Sequence, residues 1–456
     1  MAGGGNFTPG VAKVRPGTYV NFKSTRQPVA FTDDDGIVVI PFMTSAFGPS
    51  QKYTEINADT IDSIPEILGY QVNDTTYANM RLVREALKAC PIVKVFIVGT
   101  GGTAASKTAG GLTVTAKYPG TRGNDIRFSV VANPSPATDF DINIYFGNEG
   151  VYTYKNIANV AAAAAIDNPV VTIAAAEENA VLAAAAASSL TGGVDTSASN
   201  ANFTSFLDTL DNTRFDTVCF PIASSNSSFS TLAAAFVSKI NYLRNNIGKL
   251  VRGAMPQYAA NHIGIDSVVN APTVDGVQLT TAEATAFVAA LSAASDEVTS
   301  NTNKVYPGAD GLEGANLLSH EQTETAIKAG GFVFSLSDDG SVVVEYDINS
   351  LTTPESNQDE TYKKNRVIRA IDGVANAIKS TFPPNAFSNT PEDYDIMDGL
   401  GAAILKRFEE AGAIKNVADG DFAVDRNQST GDAAYFNVAI QPVDSIEKLY
   451  FTIATN

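Results

Sequence analysis

Between Gly99 and about Gly193 the chain changes character. Gly, Thr, Asn and Ala dominate this stretch, and its apolar residues fall in short alternating segments at 112–118, 126–132 and 142–146. Brief alternating strands between turn residues are the pattern of a small all-β sandwich. The flanks read differently, with continuous apolar runs and helical spacing, so the β unit is expected as an insert in an α/β chain. A length of 456 residues also exceeds what one hydrophobic core normally serves. The expected fold class is α/β multidomain, with five parts. These are an N-terminal arm (1–22), an N-terminal domain (23–98), the β-sandwich insert (99–193), a central α/β domain (194–350) and a C-terminal α+β domain ending in a strand arm (351–456).

Residues 36–42 (GIVVIPF) and 93–98 read as buried strands. Between them a helix over 81–90 places Leu82, Val83, Ala86, Leu87 and Cys90 on one face and stops at Pro91. Beyond the insert, 217–222 and 250–255 read as strands, and 231–247 and 281–294 as helices. Asp338-Asp339-Gly340 between 331–336 and 342–347 is a hairpin signal. A long helix over 362–382 is stopped by Pro383-Pro384. Another begins at Thr390-Pro391-Glu392-Asp393, where a cap, a proline and an acidic first turn follow in order. The two ends look alike. The Gly-rich first dozen residues lead through Pro16-Gly17 into the alternating Thr18, Tyr19, Val20, Asn21 and Phe22, and the chain closes on alternating segments at 435–441 and 446–453. A closing strand of that kind needs a partner.

A net charge of −18 argues against a nucleic-acid binder, which needs a basic stripe. Cys90 and Cys219 lie far apart, in or beside apolar runs, and read as reduced buried thiols of a protein folded in a cytoplasm. The opening MAGGGNFTPG lacks the charged and apolar regions of a signal peptide, and no apolar run approaches a membrane span.

No active site emerges. Gly99-Thr100-Gly101-Gly102 after the apolar strand 93–98 resembles a phosphate loop. However, the run from Gly101 to Ser106-Lys107-Thr108 is a residue short, and a strand follows where the helix that holds the phosphates must start. His262 and His320 have no ligand partners at zinc spacing, and no serine lies in a nucleophile elbow. Asp33-Asp34-Asp35-Gly36 reads as a tight turn, lacking the later ligands of a calcium loop. Catalytic residues, cofactors and metals are all expected to be none.

Five motifs, in order, give the chain a likeness. They are Phe7-Thr8-Pro9-Gly10 with Pro16-Gly17-Thr18-Tyr19, and Tyr118-Pro119-Gly120-Thr121-Arg122-Gly123-Asn124-Asp125-Ile126. Then come Leu317-Leu318-Ser319-His320-Glu321-Gln322-Thr323-Glu324, Asn365-Arg366-Val367-Ile368-Arg369-Ala370-Ile371-Asp372-Gly373, and Ile440-Gln441-Pro442-Val443-Asp444-Ser445-Ile446-Glu447-Lys448. Over essentially its whole length the chain resembles the contractile tail sheath proteins of myophages of Gram-positive hosts, their prophages and R-type bacteriocins. Ser319 stands where that likeness leads us to expect threonine.

The resemblance implies a central domain that is subtilisin-like in fold only, and terminal arms that complete a sheet on neighbouring subunits. It implies a helical homopolymer of six-membered rings around a tail tube, meeting baseplate and terminator proteins, with no nucleic acid contact and no membrane insertion. Such a particle is a virion tail or a bacteriocin, assembled in the bacterial cytoplasm. Arm strands are expected at Thr18, Tyr19, Val20 and Phe22, at Phe436, Val438 and Ile440, and at Leu449, Phe451 and Ile453. The basic run Lys363, Lys364, Arg366 and Arg369 reads either as a solvated helix face or as a tube-facing contact through Lys363, Arg366 and Arg369. The rival readings are a hydrolase on the α/β core and another self-assembling virion protein, such as a tube or capsid subunit.

Overall fold

The computed structural model describes residues 36–134, 138–147, 149–356 and 358–454, together with the backbone of Gly3–Gly5 and Gly17–Tyr19. At its centre is one seven-stranded sheet. Its strands are β1 (Ile37–Phe42), β2 (Tyr53–Ile56), β3 (Ile92–Ile97), β4 (Thr217–Cys219), β5 (Arg252–Pro256), β6 (Ile265–Val268) and β7 (Gly331–Phe332). They lie in the order β7-β6-β5-β4-β1-β3-β2. Every pair is parallel except β2 against β3.

A parallel sheet covered on both faces needs strands that are apolar throughout, and β1 is buried at all six positions. Alternation then sorts its side chains. Val38, Ile40 and Phe42 join the core under α1 (Ala78–Leu87) and α3 (Thr281–Ala294), while Ile37 and Val39 join the core under α2 (Phe229–Tyr242). The capping box of Thr280 and Glu283 starts α3, and Arg81 of α1 donates to Glu283. The helix expected over 231–247 is α-helical to Tyr242 and closes in a π-turn, Leu243–Ile247, ended by Gly248.

The domain boundaries need one correction. Segments 23–98 and 194–350 are not two domains, because β1 of the first pairs with β4 of the second inside the same sheet. The apolar runs on either side of the insert each supply half of a sheet that neither can complete. The insert itself is a sandwich of a four-stranded and a three-stranded sheet around its own core of Leu112, Val114, Phe128, Ile142, Ile144 and Ile173. Arg122 docks it. The guanidinium donates to the Gly69 carbonyl at 2.7 Å, pairs with Asp125 and Glu149, and lies over the rings of Tyr70 and Phe146. Beside it Gly120 adopts φ +133°, and a Cβ there would stand 1.8 Å from the Ala46 carbonyl oxygen. Only glycine fits that contact.

The C-terminal unit is built on α4 (Asn365–Thr381) and α5 (Pro391–Glu410), with the two-stranded ribbon β8 (Phe422–Val424) and β9 (Phe436–Val438). A 3-10 turn, Glu360–Lys363, occupies the start of the expected 362–382 helix. Gly401 lets α5 receive the Phe422 ring, which stacks on Phe382 and packs against Phe436.

Candidate assembly interface

In an open parallel sheet, ligands enter where the strand order reverses, here between β1 and β4. The chain itself fills that crevice. Past β1 it forms a bridge of Thr44–Ser45 with Thr196–Ser197, and the Ala198 amide donates to the Met43 carbonyl at 2.8 Å. The glycine loop is spent in the same way. The Thr100 amide donates to the Ser197 carbonyl at 3.1 Å and the Thr103 amide to the Val194 carbonyl at 3.0 Å. Those N–H groups hold the two chain crossings of the insert together and are not free to receive a phosphate.

His262 accepts from the Gly264 amide at 2.9 Å through Nδ1. Burial, joined by Arg244 and Arg252, pushes it down to about 4, so its ring is neutral at physiological pH. His320 is almost fully exposed and pairs with Glu324 one turn along its helix. Both cysteines are buried free thiols pushed well up by desolvation, the opposite of a reactive nucleophile. Among the described residues no cluster of three His, Cys, Asp or Glu is arranged for a metal, and no helix is long and apolar enough to cross a membrane. Asp33, Asp34 and Asp35 lie outside the described residues.

The basic run serves the fold. Arg369 is 6% exposed, pairs with Asp347 at 2.8 Å and donates to the carbonyls of Asp296 and Thr299. A tube-facing Arg369 is therefore ruled out, because Asp347, distant in sequence, draws it inward. Arg366 donates to Ser445 at 2.8 Å and to the Gly412 carbonyl, and Lys363 pairs with Glu360. Asn365 and Asp372 on the same helix bond the central domain, the first at the sheet and the second at the π-turn after α2. Asn365 donates to Asp266 of β6 at 3.0 Å, and Asp372 takes the guanidinium of Arg244 through both oxygens.

The chain ends divide unequally. Gly17–Tyr19, which carries Thr18 and Tyr19, pairs in parallel with Gly3–Gly5 of its own chain, while Val20 and Phe22 lie outside the described residues. Phe436 and Val438 also need correction as strand residues awaiting a neighbour. Their strand pairs antiparallel with β8 at home, since the Phe422, Phe382 and Phe436 rings bury one another there. Ile440 packs against the same C-terminal core. The ribbon has only two strands; the Val424 amide on the outer edge of β8 donates to Asp398 of α5 at 2.7 Å, and no third strand pairs with either edge among the described residues.

Leu449, Phe451 and Ile453 differ. They are 67%, 82% and 86% exposed, and Tyr450 between them is 89% exposed. Among the described residues, no backbone hydrogen bond ties 446–454 to the rest of the chain. A run of large apolar side chains held in water with its backbone unpaired is a segment built to be covered.

A three-layer α/β core, an inserted β-sandwich and a two-helix C-terminal unit with an uncovered apolar tail define a structural subunit with the architecture of a tail sheath protein. Residues 100–195, 196–350 and 357–456 match, in turn, the phage tail sheath β-sandwich domain, central domain and C-terminal domain. The sheath tail protein of Desulfitobacterium hafniense superposes with a TM-score of 0.79 at 31% identity, covering 95% of this chain and 99% of that one. The phage-like element PBSX protein XkdK of Bacillus subtilis (strain 168) is 29% identical over 477 residues, 99% of this chain and 100% of its own. The anti-feeding prophage helical sheath in its contracted state shares the fold at 12% identity, with a TM-score of 0.55 over 98% of this chain and 100% of that one. The chain belongs to the phage tail sheath family.

Proposed function

We propose that this sheath subunit polymerises into a helical, contractile cylinder of six-membered rings around a tail tube, and that contraction drives the tube through a host envelope. The observation that carries the reading is the uncovered segment 449–454. Its alternating Leu449, Phe451 and Ile453 match what an extended peptide needs to add a strand to an open sheet edge, where main-chain bonds give affinity and alternate side chains give register. The β9 side of the β8–β9 ribbon is the candidate edge, since the β8 side is bonded to Asp398, and the N-terminal arm around Thr18 and Tyr19, with Val20 and Phe22, is the second candidate strand. A donor edge and an acceptor edge at different places on one molecule make a heterologous contact, which propagates as a helix instead of closing as a dimer. With the arms tethering neighbours, the folded bodies reorient as rigid units between two lattices.

The reading includes tail tube, baseplate and terminator proteins as partners, assembly in a bacterial cytoplasm, and a virion tail or bacteriocin as the particle. Lys363 and Arg366 keep a tube-facing role only at their exposed margins. The doubly wound core is taken as subtilisin-like in fold without hydrolysis, since His262 Nδ1 accepts from the Gly264 amide, which leaves Nε2 carrying the proton and unable to take one from a serine. A reactive-serine probe tests that point, and labelling of the folded protein would favour the hydrolase reading. Negative-stain microscopy of the concentrated protein tests the main reading: striated hollow cylinders are expected, and monomers alone contradict it.

A further inference from the structure

One side chain in the terminal run behaves unlike its neighbours. Ile446, Leu449, Tyr450, Phe451 and Ile453 are 67% to 89% exposed, whereas the Glu447 side chain is 8% exposed. Withdrawing a carboxylate from water is unfavourable unless it is paired, and Glu447 is paired at both oxygens. Ser300 Oγ and Thr302 Oγ1 each donate to Oε1 at 2.7 Å, and the Lys364 ammonium bonds Oε2. Burial alone would lower the Lys364 pKa, but the hydrogen bonds to Glu447 and Tyr346 outweigh it and hold the ammonium above its usual range.

The groups that hold Glu447 are themselves held. Thr302 Oγ1 accepts from the Asp347 amide at 3.0 Å, and Asp347 Oδ2 accepts from the Asn301 amide and from Arg369. Asp347 Oδ1 accepts from Asn365, whose amide also donates to Asp266 in β6. Two residues beyond Lys364, Arg366 donates to Ser445. A continuous polar chain therefore runs from the root of the apolar tail to the interior of the central sheet.

We infer that Glu447 and Lys364 are positioning residues: a clasp that fixes where the C-terminal arm leaves its subunit and passes a neighbour's pull into the sheet. The inference rests on the arm reading above. Without the clasp the arm would be anchored farther back, by the single bond from Arg366 to Ser445, by the Val443 amide on the Ala413 carbonyl, and by the short Gln441–Pro442 pairing with Ile414–Lys415. Pull applied there peels a two-residue ladder one bond at a time.

The test uses the full chain and four variants: Glu447→Ala, Lys364→Met, the charge swap Glu447→Lys with Lys364→Glu, and a chain ending at Lys448. Hydrogen exchange on the unassembled protein reads the clasp alone. Glu447→Ala and Lys364→Met are expected to speed exchange at the Val443 amide, which is bonded to the Ala413 carbonyl just behind the clasp, by roughly tenfold, with the sheet amides and thermal midpoint nearly unchanged. Assembled, both give cylinders that fragment under shear that wild-type cylinders survive. The swap restores both properties, because hydroxyls accept from an ammonium as readily as they donate to a carboxylate. Unchanged exchange at the Val443 amide in Glu447→Ala overturns the clasp, as do cylinders from that variant as robust as wild type. Cylinders from the chain ending at Lys448 would instead overturn the arm reading, and with it the load-carrying role, whatever the exchange shows.

Discussion

Arg244 and Asp372 meet where the π-turn after α2 faces α4, with side chains 4% and 13% exposed. A buried pair contributes little net stability over apolar packing, but removing one partner strands the other charge. Asp372→Ala is therefore expected to lower unfolding stability by about 3–5 kcal/mol in a denaturant titration. His262 gives a pH signature. Its folded pKa is about 4, against an ordinary value of 6.5. As pH falls through that window the unfolded chain gains a proton that the folded one refuses. The thermal midpoint should fall progressively from about pH 6.5 toward pH 4. In His262→Asn, which keeps an acceptor for the Gly264 amide, that acid-side fall should shrink. Residue identity was a poor guide at this scale. Arg369 looked like surface charge because its acceptor, Asp347, is 22 positions away and on no shared helix face. Glu447 stood in the sequence only as one residue of the C-terminal motif, and only the fold brings Ser300 and Thr302 to it.

Among elements, α5 and the β8–β9 ribbon are coupled through Gly401, where a Cβ would stand 1.9 Å from Phe422 Cδ1. Gly401→Ala gains up to about 1 kcal/mol of helix propensity yet must displace a ring that Phe382 and Phe436 hold. A net loss of about 1–2 kcal/mol is expected, together with faster exchange in β8 and β9 while the insert and central sheet are unaffected. Elements with a strong local pattern were legible in the sequence. The span 281–294 is a helix to the residue, because the Thr280–Glu283 box marks its start, and Asp338-Asp339-Gly340 does turn a hairpin, Gly340 adopting φ +84°. What joins elements was not legible. Nothing in the local pattern of 37–42 says that it pairs with 217–219 across more than 170 residues, since parallel pairing carries no turn signal. The open tail was visible only as an alternating run; that it stays unpaired in one subunit, while the equally alternating Phe436–Val438 is satisfied, depends on aromatic packing.

For the whole molecule, the buried polar bonds from α4 to β5 and β6 join the C-terminal unit to the sheet, and Arg122 joins the insert to it. The body is thus expected to move as one piece, leaving the terminal arms as the compliant parts of a lattice. Where a deletion should begin follows from the clasp: removal from Val443 onward would take away an internal hydrogen bond and Glu447, whereas removal after Lys448 takes away only the uncovered segment. The most direct measurement is electron microscopy with sedimentation on the full chain and on the chain ending at Lys448, at matched concentration. The account predicts cylinders from the first, and from the second a folded monomer with an unchanged thermal midpoint. Long cylinders from the shortened chain would contradict it.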